Sequence, residues 1–269
     1  LAAVALITAL SLAVDTLQGA PLMKVSVLGY DPVSGARYYG LGNEYMGVLV
    51  GMAVLGGCAL LTLLPEQRRL LLGVQALIFV LLVFILVAPA GGANFGGTLT
   101  AMAAFAVTVA ALLQWKPGLR SLLVLLAALF VFCLAAVLLN ILVPQNAQSH
   151  LGRTLALLKT NGWKELQDII VRKGSMNLKL FRYSQWSRVL LAFLGMLAVL
   201  FYRPRGMLQE LHRRYPDLAA GFLGIITGSI TALLTNDSGV VAAATTLLAA
   251  GVPLIMLAAE LAAEKEFHK

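Results

Sequence analysis

Charge is scarce in this chain: Asp, Glu, Lys and Arg together make up 12% of its 269 residues, against roughly 25% in an ordinary soluble domain. That deficit excludes a water-soluble globular protein. Cysteine is nearly absent as well. Cys58 and Cys133 are the only two and both lie inside apolar runs, so neither a disulfide framework nor a thiolate metal cluster is expected. Also missing are a Walker-type Gly-x-x-x-x-Gly-Lys-Ser/Thr, a dinucleotide fingerprint, His-Glu-x-x-His and Cys-x-x-Cys. Their absence argues against ATP-driven pumping within the chain, nicotinamide chemistry and zinc hydrolysis, and no cofactor or metal is expected. An obvious inverted repeat, the mark of many secondary transporters, is lacking too. Nucleic acid is not an expected partner.

The bulk of the chain is aliphatic. Hydrophobic residues make up 60% of it, and a span needs about 20 of them in succession. Apolar runs cover residues 1–17, 45–64, 70–88, 95–115, 119–143, 188–202, 218–235 and 239–260. The expected fold is therefore all-α, a polytopic membrane bundle of eight transmembrane helices. One integral membrane domain over residues 1–269 is expected, since no stretch is long enough for a separate soluble enzyme. The chain begins at Leu1 with neither an initiator Met nor a basic region before its first apolar run. It reads as a piece of a longer protein, with an N-terminal domain or partner subunit to be expected beyond it.

Orientation follows the basic residues of the short connections. Arg68 and Arg69, Lys116 and Arg120, the group from Arg203 to Arg214, and the tail with Lys265 and Lys269 would share one side. That side is expected to be the cytoplasm, with both ends of the chain on it. Segments 21–39, 89–97, 144–187 and 235–239 then become extracytoplasmic. The formal charge of +8 suits anchoring to membrane lipids and an anionic lipid partner.

Three short segments carry the chemistry. From Ser34 to Gly47, four glycines surround Arg37, Tyr38, Asn43 and Glu44 at a span entrance, giving a cation, an amide and a carboxylate where charge is costly. The plainer reading is a tight helix entry with Asn43 as N-cap and Glu44 favoured by the helix dipole. From Pro89 to Thr98 the chain offers little but glycines and Asn94, a turn on which a phosphate would rest, or one that merely lets helices approach. In Thr235 to Gly239, Asn236 and Asp237 stand at a helix start, as a base, a cation ligand or a cap.

The long connection 144–187 holds two amphipathic stretches. In one, Leu151, Leu155 and Leu158 line a face beside Arg153 and Lys159; in the other Trp163, Leu166, Ile169 and Ile170 do so, with charges opposite. Such helices lie on a bilayer or cap a bundle. Their cations, Arg153, Arg172 and Lys173 among them, suit an anionic head group, and simple docking on phospholipid explains them equally well. His150 heads this loop within reach of a leaving pyrophosphate, although a lone His is more often a bystander.

The string from Arg37 to Gly47, Arg-Tyr-Tyr-Gly-Leu-Gly-Asn-Glu-Tyr-Met-Gly, resembles the Arg and Gly-Asn-Pro-Asn segment at a span entrance of bacterial O-antigen ligases and Wzy-type polymerases, with Glu44 where that group has Pro and a plasma-membrane location in bacteria implied. Residues 91–101 stand where that group has a small-residue turn, and residues 144–187 resemble its large extracytoplasmic loop. The resemblance implies metal-independent, inverting glycan transfer from a polyprenyl-diphosphate donor. Arg37 and the loop cations would hold the diphosphate, and Glu44 or Asp237 would be the base on the acceptor hydroxyl.

Three functions compete at this stage. One is handling of a polyprenyl-phosphate-linked glycan at the extracytoplasmic face, with Glu44, Asp237 and His150 as catalytic candidates. Its binding candidates are Arg37, Tyr38, Asn43, Asn94, Asn236, Arg153, Arg172 and Lys173. The second is a proton- or cation-coupled transporter or lipid flippase. The third is the membrane anchor of a larger envelope enzyme.

Overall fold

The computed structural model describes residues 1–31, 35–36, 40–88, 91–115, 118, 123, 127, 162–202 and 207–267. Among them the fold is helical apart from two-residue strands, Tyr30–Asp31 and Gly35–Ala36, paired antiparallel. The helices are α1 (Ala2–Leu17), α2 (Pro21–Val25), α3 (Asn43–Leu63), α4 (Arg68–Val87), α5 (Phe95–Leu112), α6 (Trp163–Tyr183), α7 (Gln185–Tyr202), α8 (Met207–Arg214), α9 (Pro216–Thr235) and α10 (Gly239–Phe267).

Five of these are long and apolar enough to cross a membrane: α3, α4 with the short turn before it, α5, α9 and α10. A sixth is reached if α6 and α7, bent by 83° at Ser184, count as one broken span. Of the eight spans expected from hydropathy, five or six are thus found among the described residues. Run 1–17 forms a helix of 16 residues, about 24 Å long, short of a hydrocarbon core of about 30 Å. Run 119–143, apart from residues 123 and 127, falls outside the described residues.

The packing reverses what water would select. On α1 the alanines 2, 5, 9 and 13 are buried, while Val4, Ile7, Leu10 and Val14 face outward. Small residues bring helices close where lipid replaces water as solvent, and large aliphatic residues meet the lipid. The same logic builds the centre. Gly47 and Gly51, a Gly-x-x-x-Gly pair on α3, lie against Ala242, Thr245, Thr246 and Ala249 of α10; a Cβ at Gly51 would stand 2.6 Å from that of Ala249. Gly224 and Gly228 form a second such pair, seating α9 on Ala104 and Thr108 of α5. Both pairings lock register: α3 runs parallel to α10, and α5 antiparallel to α9.

Outside this four-helix centre, α1 covers α3, α7 covers α10 and α4 leans on α5. Phe79 of α4 stacks on Phe105 of α5 with ring centroids 4.0 Å apart. Leu70, Leu77, Leu81 and Phe84 of α4 remain exposed, as expected of a lipid-facing helix. The alternating directions leave the starts of α3, α5 and α10 at one end of the bundle, beside Asn94. The other end gathers around Arg68.

Candidate functional site

At the Asn94 end, three connections that are distant in sequence are tied by side-chain hydrogen bonds. The turn after α4 comes first. There the N–H groups of Gly91 and Ala93 donate to the Ala88 carbonyl, that of Gly92 to Ile85 and that of Asn94 to Leu86. These donors close the end of α4, so the N–H groups of residues 91–94 are spent within the protein rather than presented to a phosphate.

Asn94 is buried, and its side chain is spent inside the protein. Its Oδ1 accepts from the N–H of Gly97 at 2.8 Å, capping α5. Its Nδ2 donates to the Leu41 carbonyl at 3.1 Å and to Asn43 Oδ1 at 3.0 Å. The cap of α3 is Gly42 rather than the expected Asn43, whose side chain is turned to Asn94 instead. A further backbone bond from Leu41 to the Gly92 carbonyl, at 2.8 Å, completes the joint between the two span entrances. Gly40 permits it. Its φ of +63° is the left-handed region, and a Cβ there would strike the Gly92 carbonyl.

Asn236 plays the matching part on the other side of α5. It is 2% exposed, and its Nδ2 donates to Thr100 Oγ1 at 3.1 Å and to the Ala232 carbonyl at 3.2 Å. Thr235 Oγ1 donates to the Gly96 carbonyl at 3.2 Å. The paired glycines 96 and 97 make room for both neighbours, because Gly96 lies under Asn236 while Gly97 lies under Met46 of α3. The first turn of α5 is therefore the keystone of this end.

Helix α6 closes the assembly from the side. Lys173 Nζ donates to the Thr235 carbonyl at 2.7 Å and lies 3.3 Å from Asp237 Oδ1. One turn on, Asn177 accepts from the N–H of Val240 at 3.1 Å, satisfying a donor in the first turn of α10. Asp237 is 69% exposed at its side chain, so it stands at the surface of this end. Glu44 differs. It is in the first turn of α3 and 9% exposed, with Oε2 turned back over Gly42. The parallel register of α3 and α10 puts it level with Val240 and Val241, the same height at which Asn177 grips α10.

Of the residues expected to act, Asn43, Glu44, Asn94, Asn236, Lys173 and Asp237 are gathered at this end. Arg172, adjacent to Lys173, is exposed on α6. Arg37, Tyr38, His150 and Arg153 lie outside the described residues. Sequence reasoning passed over Asn177 and Thr100, although an Asn one turn from Lys173 in an amphipathic helix was a usable signal. Asp15 was also left without a role. Its buried carboxylate accepts from the N–H groups of Leu22 at 2.9 Å and Met23 at 3.1 Å, capping α2, and Met23 Sδ in turn meets the N–H of Gly42.

Among the described residues no group of three or more His, Cys, Asp or Glu is arranged to hold a metal. Comparison with known families, characterised proteins and solved structures finds no match to this chain.

Proposed function

We propose that this protein handles a polyprenyl-phosphate-linked glycan, or a similar anionic lipid, at the Asn94 end, on the extracytoplasmic side of a bacterial plasma membrane. In this reading it is a metal-independent glycan transferase of cell-envelope biogenesis. The observation that carries the reading is Glu44. A carboxylate almost withdrawn from solvent sits in the first turn of the central span, at the end of the bundle that also carries Asp237 and the cations of α6, and an ionisable group so placed in a membrane protein points to a functional site.

In the transfer step, the acceptor hydroxyl oxygen would form its bond to the anomeric carbon as the bond from that carbon to the diphosphate breaks. Glu44 would take the hydroxyl proton, and the polyprenyl diphosphate would leave as an anion. Arg37 and exposed Arg172 are the cations assigned to that anion. Asn94, Asn236 and Lys173 move from the binding list to the scaffold, since their polar atoms are engaged within the protein. The exposure of Asp237 supports a place at the head-group level over a membrane-buried ion site, which favours this reading above cation-coupled transport.

The test is turnover of an undecaprenyl-diphosphate-linked oligosaccharide by the protein in nanodiscs. Glu44→Gln is expected to lower the rate at least about hundredfold, the usual worth of a positioned base, while Arg37→Ala weakens donor binding. Neither binding nor turnover by the unmodified protein, or silence of both substitutions, overturns the proposal.

A further inference from the structure

Helix α6 has three sides, and among the described residues only one of them meets the protein. Lys173, Asn177 and fully buried Leu180, on one helical face, hold it to the end of α9, the start of α10 and α7. Next to that face, at 3.6-residue spacing, come Trp163, Ile170, Val171, Leu178 and Phe181, all exposed, Trp163 at 70% and Leu178 at 71%. The third side carries Lys164, Asp168, Arg172, Lys179 and Arg182, exposed as well. The hydropathy pattern grouped Ile169 with Trp163 and Ile170, yet Ile169 is half-buried on the docked side while the other two face away from the bundle. An apolar side and a charged side, next to each other and both uncovered among the described residues, fit neither a soluble surface nor a span.

The direction of the helix decides between the remaining environments. It meets α7 at 83°, and α7 packs along α10, one of the spans. Leu191, Leu194 and Val199 of α7 are exposed, so the apolar side of α6 adjoins a lateral surface already suited to lipid. Lying across the end of the spans, α6 has its apolar side available to the acyl region and its charged side to water. The charges on and beside that outer side are Lys164, Arg172, Lys179 and Arg182 against Glu165 and Asp168, an excess of cations.

We infer that α6 is an in-plane interfacial helix that docks on the anionic head groups of the leaflet at the Asn94 end, and so seats Asp237 and the start of α10 at head-group depth. Trp163, Ile170, Val171, Leu178 and Phe181 enter the acyl boundary. Lys164, Arg172, Lys179 and Arg182 face the phosphates. The inference goes beyond the lipid-handling proposal and stands without it, because a helix seated in this way is equally needed by a transporter or an anchor.

The experiment places nitroxide labels by Val171→Cys, Leu178→Cys, Arg172→Cys and Lys179→Cys, one at a time, in the full chain carrying Cys58→Ala and Cys133→Ala. The protein is held in nanodiscs of phosphatidylglycerol or of phosphatidylcholine, and collisions with oxygen and with a water-soluble nickel chelate are compared. The oxygen-to-nickel ratio at 171 and 178 should exceed that at 172 and 179 by about threefold or more in phosphatidylglycerol, and the contrast should shrink in phosphatidylcholine. Equal, nickel-dominated ratios at all four positions would put the helix in water and overturn the inference. Low collision with both reagents at 171 and 178 would mean that protein covers that side, and would overturn it too. As a second measurement in the native background, Lys164→Gln, Arg172→Gln, Lys179→Gln and Arg182→Gln combined should reduce retained phosphatidylglycerol about tenfold by native mass spectrometry. Unchanged retention contradicts the head-group role. Glycan-transfer activity enters neither readout, so failure here and failure of the functional proposal are separate results.

Discussion

The two ends of the bundle are held by different physics. At the Asn94 end, amides and hydroxyls, mostly buried, are linked one to the next: Asn43 to Asn94, Asn94 to Leu41 and Gly97, Asn236 to Thr100, Asn177 to Val240. At the Arg68 end the principal tie among the described residues is one ion pair, Arg68 Nη2 to Asp217 Oδ1 at 2.9 Å, with a second bond from the same guanidinium to the Leu112 carbonyl at 3.1 Å. That pair joins the starts of α4 and α9 to the end of α5 from the surface. Below it, Gln75 reaches Cys58 Sγ at 3.8 Å, and Gln75 Oε1 is buried with no hydrogen-bond partner among the described residues. One end is a closed network and the other a pair of fasteners.

Breaking the network should cost more than breaking the fasteners. The largest effect is expected from Asn94→Ala, which strands the Leu41 carbonyl, the Gly97 N–H and Asn43 together; about 3 kcal/mol of stability should be lost, read from unfolding in mild detergent. Asn236→Ala removes fewer bonds and should cost about 2 kcal/mol by the same measurement. Arg68→Ala should cost about 1 kcal/mol, because its partly exposed pair is screened by solvent. If Arg68→Ala proves as damaging as Asn94→Ala, the contrast between the ends is wrong.

The smallest expected effect concerns pH. On α8, at the Arg68 end of the chain's path, hydrogen bonds from Arg213 and Arg214 hold the Glu210 carboxyl at about 2, below its ordinary value of 4.5. Its folded value is the lower one, so its stabilising contribution is full above about pH 4.5 and fades as pH falls toward 2. Amide exchange on α8 should therefore quicken over that range. Exchange at Gly97, whose N–H is held by the neutral side-chain amide of Asn94, should change less over that range. Equal acid sensitivity at the two places would remove the distinction.

The sequence made some of this legible and hid the rest for identifiable reasons. Long apolar runs marked α3, α4, α5, α9 and α10, because periodicity and length are local properties. Run 1–17 looked like a span by hydropathy, yet its helix ends at Leu17 and the chain turns through Gly19 and Ala20 into α2. The strings around Asn43, Asn94 and Asn236 stood out as polar residues at apolar borders, but their use as scaffolding depends on partners up to 139 positions away, as in the bond from Thr235 to Gly96. Lys173 was noticed as one loop cation among several; its pairing with Asp237 across 64 positions had no local signature. The glycines of the long turn suggested an anion cradle, since composition does not reveal that their N–H groups are already taken by α4.

The account rests on the Asn94 end being where an anionic lipid substrate is held. The most direct test is photocrosslinking of the nanodisc-embedded protein with a benzophenone-bearing polyprenyl-diphosphate oligosaccharide, followed by peptide mapping. Labels confined to residues 37–47, 91–100, 163–182 and 235–241, and diminished by unlabelled donor, are the result expected. Labels around Arg68, Asp217 and α8, or labelling that unlabelled donor leaves unchanged, would contradict it.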